Sequence, residues 1–344
     1  MVAWFSPFVL VQRSGFIGEV PWANFDGVHY LSIARNGYFQ YEQAFFPFFP
    51  LLIKFLSVFF RDNALFSALL IVHICFFTLL VVLWKLVRLD FSSQVASWTI
   101  VFLLFFPTSF FFLSIYTESL FLLLTIGSFY AARKNKWLLA SILGAFATST
   151  RFVGIFLFPA LIYEWWKSSI DKKNNVKKYQ LLYLLLIPLG LSIYMMYLQT
   201  SVHDSFAFIH SQPAFGAGRS GGTIITLPQV LYRYIKILLT VPFTNYDVWV
   251  SLVELLTFFG GLSILIFFWK NVRISYTLFS LLALVLPTLS GTLSSMPRYV
   301  LVMFPLFIVF ASIKSIYVKC IILFCSFLLL ILLTSLFLRG YFVA

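Results

Sequence analysis

The sequence predicts an all-α protein that crosses a membrane many times, and three observations carry that prediction. Of 344 residues, 61% are hydrophobic and only 10% charged, whereas soluble domains hold roughly 45–50% apolar and about 25% charged residues. The mean hydropathy is +0.98 and Phe alone supplies 44 residues, which excludes disordered and collagen-like classes. The net charge of +13 falls in short basic clusters between apolar runs, the pattern of orientation signals rather than of a nucleic-acid surface.

A spanning helix needs about 20 mostly apolar residues. Residues 1–12 are apolar but too short to span; with no small-residue cleavage site after them they read as the end of a first helix whose start lies upstream, not as a signal peptide. The stretch 13–63 is aromatic and interrupted by Pro21, Pro47 and Pro50, so interfacial helices in an external loop are expected there. Ten segments then qualify as spans: 64–84, 95–113, 117–132, 137–150, 152–166, 180–199, 248–269, 274–290, 299–313 and 320–338. With the partial first helix, this is a bundle of about ten to eleven helices in a single domain. It divides into the loop 13–63, a bundle over 64–199, a second external loop over 200–247, and C-terminal helices over 248–344. The second loop opens glycine-rich, at Gly216, Gly218, Gly221 and Gly222, and ends in the amphipathic LPQVLYRYIKILL, a further interfacial candidate.

Positive charge sets the orientation. Arg133, Lys134 and Lys136 form one basic cluster, and Lys167, Lys172, Lys173, Lys177 and Lys178 another; the positive-inside bias makes both cytoplasmic. The stretch between them is then a hairpin with Ser149-Thr150-Arg151 at its external tip. Continuing the alternation puts the Lys85/Arg88, Lys270/Arg273 and Lys314/Lys319 loops inside. Seven acids, Glu19, Asp26, Glu42, Asp62, Glu118, Asp204 and Asp247, fall outside.

Chemistry is therefore sought at external helix ends. In PWANFDGVHY, Asp26 stands among aromatics, beside a glycine and three residues before His29. A carboxylate at an apolar interface has its pKa raised, which suits a general base; the competing reading is a helix N-cap. Glu118, in IYTESLF, is either a favourable opening residue of a helix or a contact to sugar hydroxyls or another catalytic group. Arg151 and Arg298, in STRFVG and SSMPRYV, either snorkel to lipid headgroups or bind phosphate with a forked donor pair. His73 lies inside an apolar helix as a helix-contact residue. His203 with Asp204 makes a weak metal pair lacking a third ligand, and Cys75, Cys320 and Cys325 lie in apolar runs with neither disulfide nor zinc spacing.

Three separated blocks resemble one family: WANFDGVHYLSIARNGYF to AFFPFFPLL, FFPTSFFFLSIYTESLF to STRFVGIFLFPALIYEWW, and MPRYVLVMFPLF. They are similar to the glycosylphosphatidylinositol mannosyltransferase II, or PIG-V-like, family of the GT-C superfamily of membrane glycosyltransferases. The resemblance implies a GT-C-like bundle whose first external loop carries the catalytic acid. It implies Asp26 and Glu118 as active-site acids, with Trp22, His29, Tyr30, Arg151, Arg298 and Tyr299 as substrate-binding candidates. Phe25 departs from the pattern, tryptophan being common in relatives at that place. The activity implied is inverting transfer of a hexose, by the family's habit mannose, from a polyprenyl-phosphate-sugar donor to a lipid or glycan acceptor at the extracytoplasmic face. The lipid-linked sugar is a substrate, so no cofactor is called for, a divalent metal is neither called for nor excluded, and the sequence holds no nucleotide-binding loop. A transporter or lipid flippase is the rival class, and Glu254, inside the 248–269 segment, is the residue that suits it best.

Overall fold

A computed structural model describes residues 19–170 and 176–343. The partial helix at 1–12, and Lys172 and Lys173, lie outside the described residues. Within them the chain is helical with no strand. The first external loop folds as α1 (Asp26–Asn36) and α2 (Phe48–Ser57). Helix α2 buries Phe49, Pro50 and Ile53 and leaves Leu51, Phe55 and Phe59 beyond its end exposed, the two-faced character expected of an interfacial element.

The bundle follows as α3 (Ala64–Val87), α4 (Ser93–Leu104), α5 (Glu118–Arg133), α6 (Trp137–Thr148), α7 (Leu157–Ile170) and α8 (Gln180–Val202). After the second loop come α9 (Leu227–Thr240), α10 (Tyr246–Phe267), α11 (Ile274–Val285), α12 (Met296–Leu301), α13 (Phe304–Ala311) and α14 (Ile316–Leu338). Side-chain caps open four of them: Asn63 accepts from Phe66 N, Ser92 from Val95 N, Asn245 from Asp247 N and Ser315 from Val318 N. Each cap satisfies a backbone donor that the first turn cannot pair internally.

Four helices, α3, α8, α10 and α14, are long and apolar enough to cross a membrane. Three of the other expected spans are shorter helices extended by 3-10 turns: Ser109–Phe112 follows α4, Phe152–Phe156 precedes α7, and Leu286–Ser290 follows α11, while 117–132 and 137–150 are the short helices α5 and α6. The expected 299–313 span is likewise broken into α12 and α13, with Pro305 in the first turn of α13. Apolar composition measures burial, and it does not distinguish lipid from protein as the burying medium. Residues 108–122 and 292–309 are almost wholly enclosed by protein, where irregular backbone is tolerated at membrane depth.

Two ion networks mark opposite ends of this bundle, since α5 begins at Glu118 in one and ends at Arg133 in the other. At the Arg133 end, that guanidinium binds Asp90 at 2.5 and 2.7 Å and Tyr276 at 3.0 Å. Arg273 binds buried Glu164 through Nε and NH2 at 2.8–2.9 Å, and Ser275 donates to the same carboxylate at 2.7 Å. Asp90, Arg133 and Arg273 come from three loops that the charge pattern assigned to one side, and these three meet at one end of the bundle.

Helix α3 packs against α5, α5 against α6, and α6 against α8. At the last contact Gly190 lets two backbones meet: a Cβ there would fall well inside contact distance of Ala145 O and Thr148 Oγ1, while Thr148 Oγ1 donates to Ile187 O at 2.8 Å. Small residues set such close crossings when solvent supplies no hydrophobic drive between helices. Gly190→Ala is expected to lower stability by about 1–3 kcal/mol through overpacking. Gly260→Ala on α10, where an added Cβ meets nothing within 4 Å, should melt like wild type in the same detergent.

Candidate active site

The segment before α1 is clamped on both sides. Ile115 N donates to Trp22 O at 2.9 Å, Tyr116 OH to Asn24 O at 2.9 Å, and Asn24 Nδ2 to Phe337 O of α14 at 2.9 Å. Gly27 follows because a Cβ there would come to 3.3 Å of Ile115 O. Between these anchors Phe25 is held at φ 58°, a conformation costing a non-glycine residue on the order of 1–3 kcal/mol. Its ring packs near Phe337 and Phe342, with centroids at 6.0 and 5.8 Å. The strained residue aims the next one, Asp26, off the start of α1 and into the bundle. A second left-handed residue, Ser295 at φ 69°, opens α12 three positions before Arg298.

Four charged groups meet where these elements converge. Arg298 NH1 donates to Asp26 Oδ2 at 2.7 Å and its Nε to Glu118 Oε1 at 2.8 Å. Arg151 NH1 donates to the same Glu118 oxygen at 2.9 Å. Aromatic faces floor both guanidiniums: Arg298 lies 4.6 Å from the Tyr116 ring and 5.2 Å from Phe111. Arg151 lies 5.5 Å from Tyr299 and 5.7 Å from Phe121. Glu118 is fully enclosed, and among the described residues its Oε2 accepts no hydrogen bond. Side-chain exposure is 0% for Glu118, 7% for Arg298 and 13% for Arg151, but 28% for Asp26. Asp26 is thus the member of the chain that an incoming molecule reaches.

The expected rise in the Asp26 pKa is corrected by this arrangement. Burial does push the carboxyl up, but attraction and hydrogen bonding from Arg298, with smaller contributions from Arg219 and His29, outweigh it and hold the group below the ordinary carboxylate range. The sequence expectation counted the apolar surroundings and lacked the arginine brought from 272 residues away.

The aromatic frame is assembled around the acid. Tyr30 is buried against Phe45 and Phe49, and burial, Asp26 and Glu118 all raise its hydroxyl pKa. His29 stacks on Phe45 at 4.9 Å and shares a 3.1 Å hydrogen bond with Glu42 Oε1. Phe39 N donates to Glu42 Oε2 at 3.0 Å. Burial raises the Glu42 carboxyl, but its hydrogen bonds from His29, Phe39 and Ser32 prevail and lower it. All eight sequence candidates therefore lie at one end of the bundle.

Sequence reasoning overlooked three participants. Glu42 registered only as an external acid, although QYEQ between two aromatic blocks was a visible polar interruption. Arg219, within GAGRSGG, contributes to the field at Asp26; a cation among glycines was the available signal. Tyr234 OH donates to Glu254 Oε2 at 2.6 Å, and Ser295 N donates to Oε1 at 3.2 Å, so Glu254 braces the turn that carries Arg298. No local signal linked positions 234, 254 and 295. His203 and Asp204 do not pair with each other; Asp204 accepts from Phe206 N at 2.9 Å and meets His210 Nδ1 at 2.6 Å. Among the described residues no group of three or more His, Cys, Asp or Glu could hold a metal ion, and all three cysteines are free.

A family model described as Mannosyltransferase (PIG-V) matches residues 5–246, more than two thirds of the chain. No curated protein matches, and no solved structure matches.

Proposed function

The chain belongs to the PIG-V mannosyltransferase family, and from that premise we propose a specific reaction for this integral membrane protein. A mannosyl unit passes from a polyprenyl phosphate to a hydroxyl of a lipid or glycan acceptor at the extracytoplasmic face. The acceptor oxygen attacks the anomeric carbon from the side opposite the phosphate, and Asp26 takes the hydroxyl proton as the new C–O bond forms. The old bond between the anomeric carbon and phosphate oxygen breaks, its electron pair leaves on the phosphate, and the configuration inverts. No separate activating cofactor is required, because the phosphorylated lipid is itself the leaving group.

One observation carries this reading: the partly exposed Asp26 carboxylate ends a buried chain of alternating charge, Asp26–Arg298–Glu118–Arg151. A base held ionised in a low-polarity site is ready to take a proton at the moment the attacking hydroxyl becomes acidic. Glu118 and the two arginines fix its orientation, and the unused N–H donors of Arg151 and Arg298 stabilise negative charge developing on the phosphate. The extracytoplasmic assignment is supported by the basic loop residues Arg133 and Arg273, which lie at the end of the bundle opposite to Asp26.

The test is mannose transfer by the purified full chain, with donors labelled in the sugar and a membrane lipid extract as acceptor. Label is expected in a new glycolipid from polyprenyl-phosphate-mannose and none from a nucleotide-mannose supplied without lipid phosphate. Transfer from the nucleotide sugar alone would overturn the donor assignment.

A further inference from the structure

A cleft of about 750 Å³ opens beside the charged chain, between α9 and α10 and under the 291–294 turn. That volume lies within the range of pockets that take small ligands, roughly 300–1,000 Å³. Its walls include Arg233 and Lys236 of α9, Glu254 of α10, and Thr292 and Ser294 of the turn. The glycine-rich loop is strapped across it: Ser220 N donates to Ser290 O at 2.7 Å, Ile225 N to Leu289 O at 2.9 Å, and Arg219 NH2 to Ser294 Oγ at 3.3 Å. Gly291, at φ 97°, lets the strap close, because a Cβ there would meet Ile225 and the Arg233 guanidinium, which donates to Gly291 O at 3.0 Å.

The charges in this cleft differ in kind from those at Asp26. Arg151 and Arg298 are neutralised by two carboxylates. Among the described residues Arg219, Arg233 and Lys236 enter no ion pair; Arg219 donates to the neutral Ser294 hydroxyl and Arg233 to the Gly291 carbonyl. Glu254, 3% exposed, spends both oxygens on Tyr234 and Ser295, and Asp247 stands at the exposed rim. Two cations, Arg233 and Lys236, thus line one open volume, Arg219 adjoins it through Ser294, and a single exposed acid stands beside them. Arg219 also lies within electrostatic reach of Asp26, which joins the cleft to the site of reaction. Along α9, exposed Ile235 and Leu239 flank the cleft-lining Lys236 and Thr240, so an apolar edge adjoins the cationic one.

We propose that this cleft binds the phosphorylated head group of a lipid substrate, with Arg219, Arg233 and Lys236 on the phosphate, polar groups of the 292–294 turn on its hydroxyls, and its tail leaving along the exposed edge of α9. Guanidiniums present paired donors to phosphate oxygens, and a site walled by Tyr234, Tyr246 and Phe342 suits a sugar or polyol ring. The proposal deepens the transferase reading and rests on it for the identity of the lipid, but not for the existence of the site. Donor and acceptor could each supply a lipid phosphate, and the test separates them.

Binding is measured directly on the full chain in detergent, by native mass-spectrometric titration with farnesyl phosphate, with farnesol as the same tail lacking phosphate, and with phosphatidylinositol. Farnesyl phosphate is expected to bind wild type well above farnesol. Arg219→Gln and Arg233→Gln should each weaken phosphate-lipid binding by about tenfold or more, as loss of a charge-assisted contact does, leaving farnesol unchanged. Arg233→Lys should recover part of the loss, and Lys236→Gln, at an exposed position, gives a variant whose folding is not at issue. Loss confined to farnesyl phosphate assigns the cleft to the donor and moves its phosphate from Arg151 and Arg298 to this cleft; loss confined to phosphatidylinositol assigns the cleft to the acceptor and leaves the donor phosphate on Arg151 and Arg298. Undiminished binding of both lipids by all three glutamine variants would overturn the proposal. Asp26→Asn should still bind, so failure of the transfer reaction and failure of the cleft are read from different measurements.

Discussion

Asp26→Asn is expected to lower mannose transfer by about 10²–10⁴-fold, the contribution typical of a positioned general base, with little change in the KM for the donor. Asparagine matches aspartate in shape, and its carbonyl oxygen can still accept from Arg298 NH1, which now donates to Asp26 Oδ2 at 2.7 Å. The rest of the chain through Glu118 to Arg151 keeps its hydrogen bonds. What disappears is the capacity to accept a proton, so the loss belongs in kcat. The pH profile gives an independent reading. Burial raises the Asp26 carboxyl, but Arg298, Arg219 and His29 more than compensate and hold it below its ordinary range. The acid limb governed by this group should therefore fall below the usual aspartate value of about 3.9, not near neutrality. The linkage has the matching sign. With its folded pKa depressed, Asp26 contributes stability above the unfolded pKa, and that contribution is lost as pH falls through the folded value. Rates equal to wild type in matched, folded Asp26→Asn would remove Asp26 from catalysis.

Much of this fold was legible because membrane proteins write topology in two coarse signals, apolar length and basic charge. The loop residues Asp90, Arg133 and Arg273 were assigned to one side from charge alone, and they meet in one network. Helix boundaries were less legible. Segments such as 95–113 and 299–313 are as apolar as true spans, yet they break into short helices and 3-10 turns, and protein encloses the stretches 108–112 and 300–309 within them. The site divides in the same way. Asp26, Glu118, Arg151 and Arg298 stood out as ionisable groups at helix ends, and they are in direct contact. Their pairing was not legible, since it joins positions 118 and 298, or 26 and 298, through folding alone; hence the wrong direction for the Asp26 pKa. Glu42, Arg219 and the Tyr234–Glu254 bond lay in stretches whose local pattern reads as ordinary loop or helix. Composition reveals where a charge is costly, and only the folded chain reveals what compensates it.

That compensation makes Glu118 the most structurally demanding residue of the site. Its Oε1 accepts from Arg298 Nε at 2.8 Å and from Arg151 NH1 at 2.9 Å, so a single oxygen offsets two guanidiniums in a region closed to solvent. Glu118→Ala would leave both cations facing a cavity, with Asp26 the sole remaining carboxylate paired to the chain. Removing one partner of a buried ion pair costs about 3–5 kcal/mol, and melting in detergent is expected to fall accordingly, together with transfer. Glu118→Gln keeps the shape and an accepting oxygen while deleting the charge, so it should lie between wild type and alanine in stability. Charge balance supplies the discriminating test. Adding Arg151→Met to Glu118→Gln removes the one cation left without a carboxylate, since Arg298 still pairs with Asp26, while retaining apolar contact with Tyr299 and Phe121, the rings that now floor Arg151. The double variant should be more stable than the sum of the single changes predicts, by an amount within the 0.5–3 kcal/mol typical of coupled neighbours. Additive effects would show that Glu118 and Arg151 act separately, and the charged chain would then not be the unit that holds Asp26 in place.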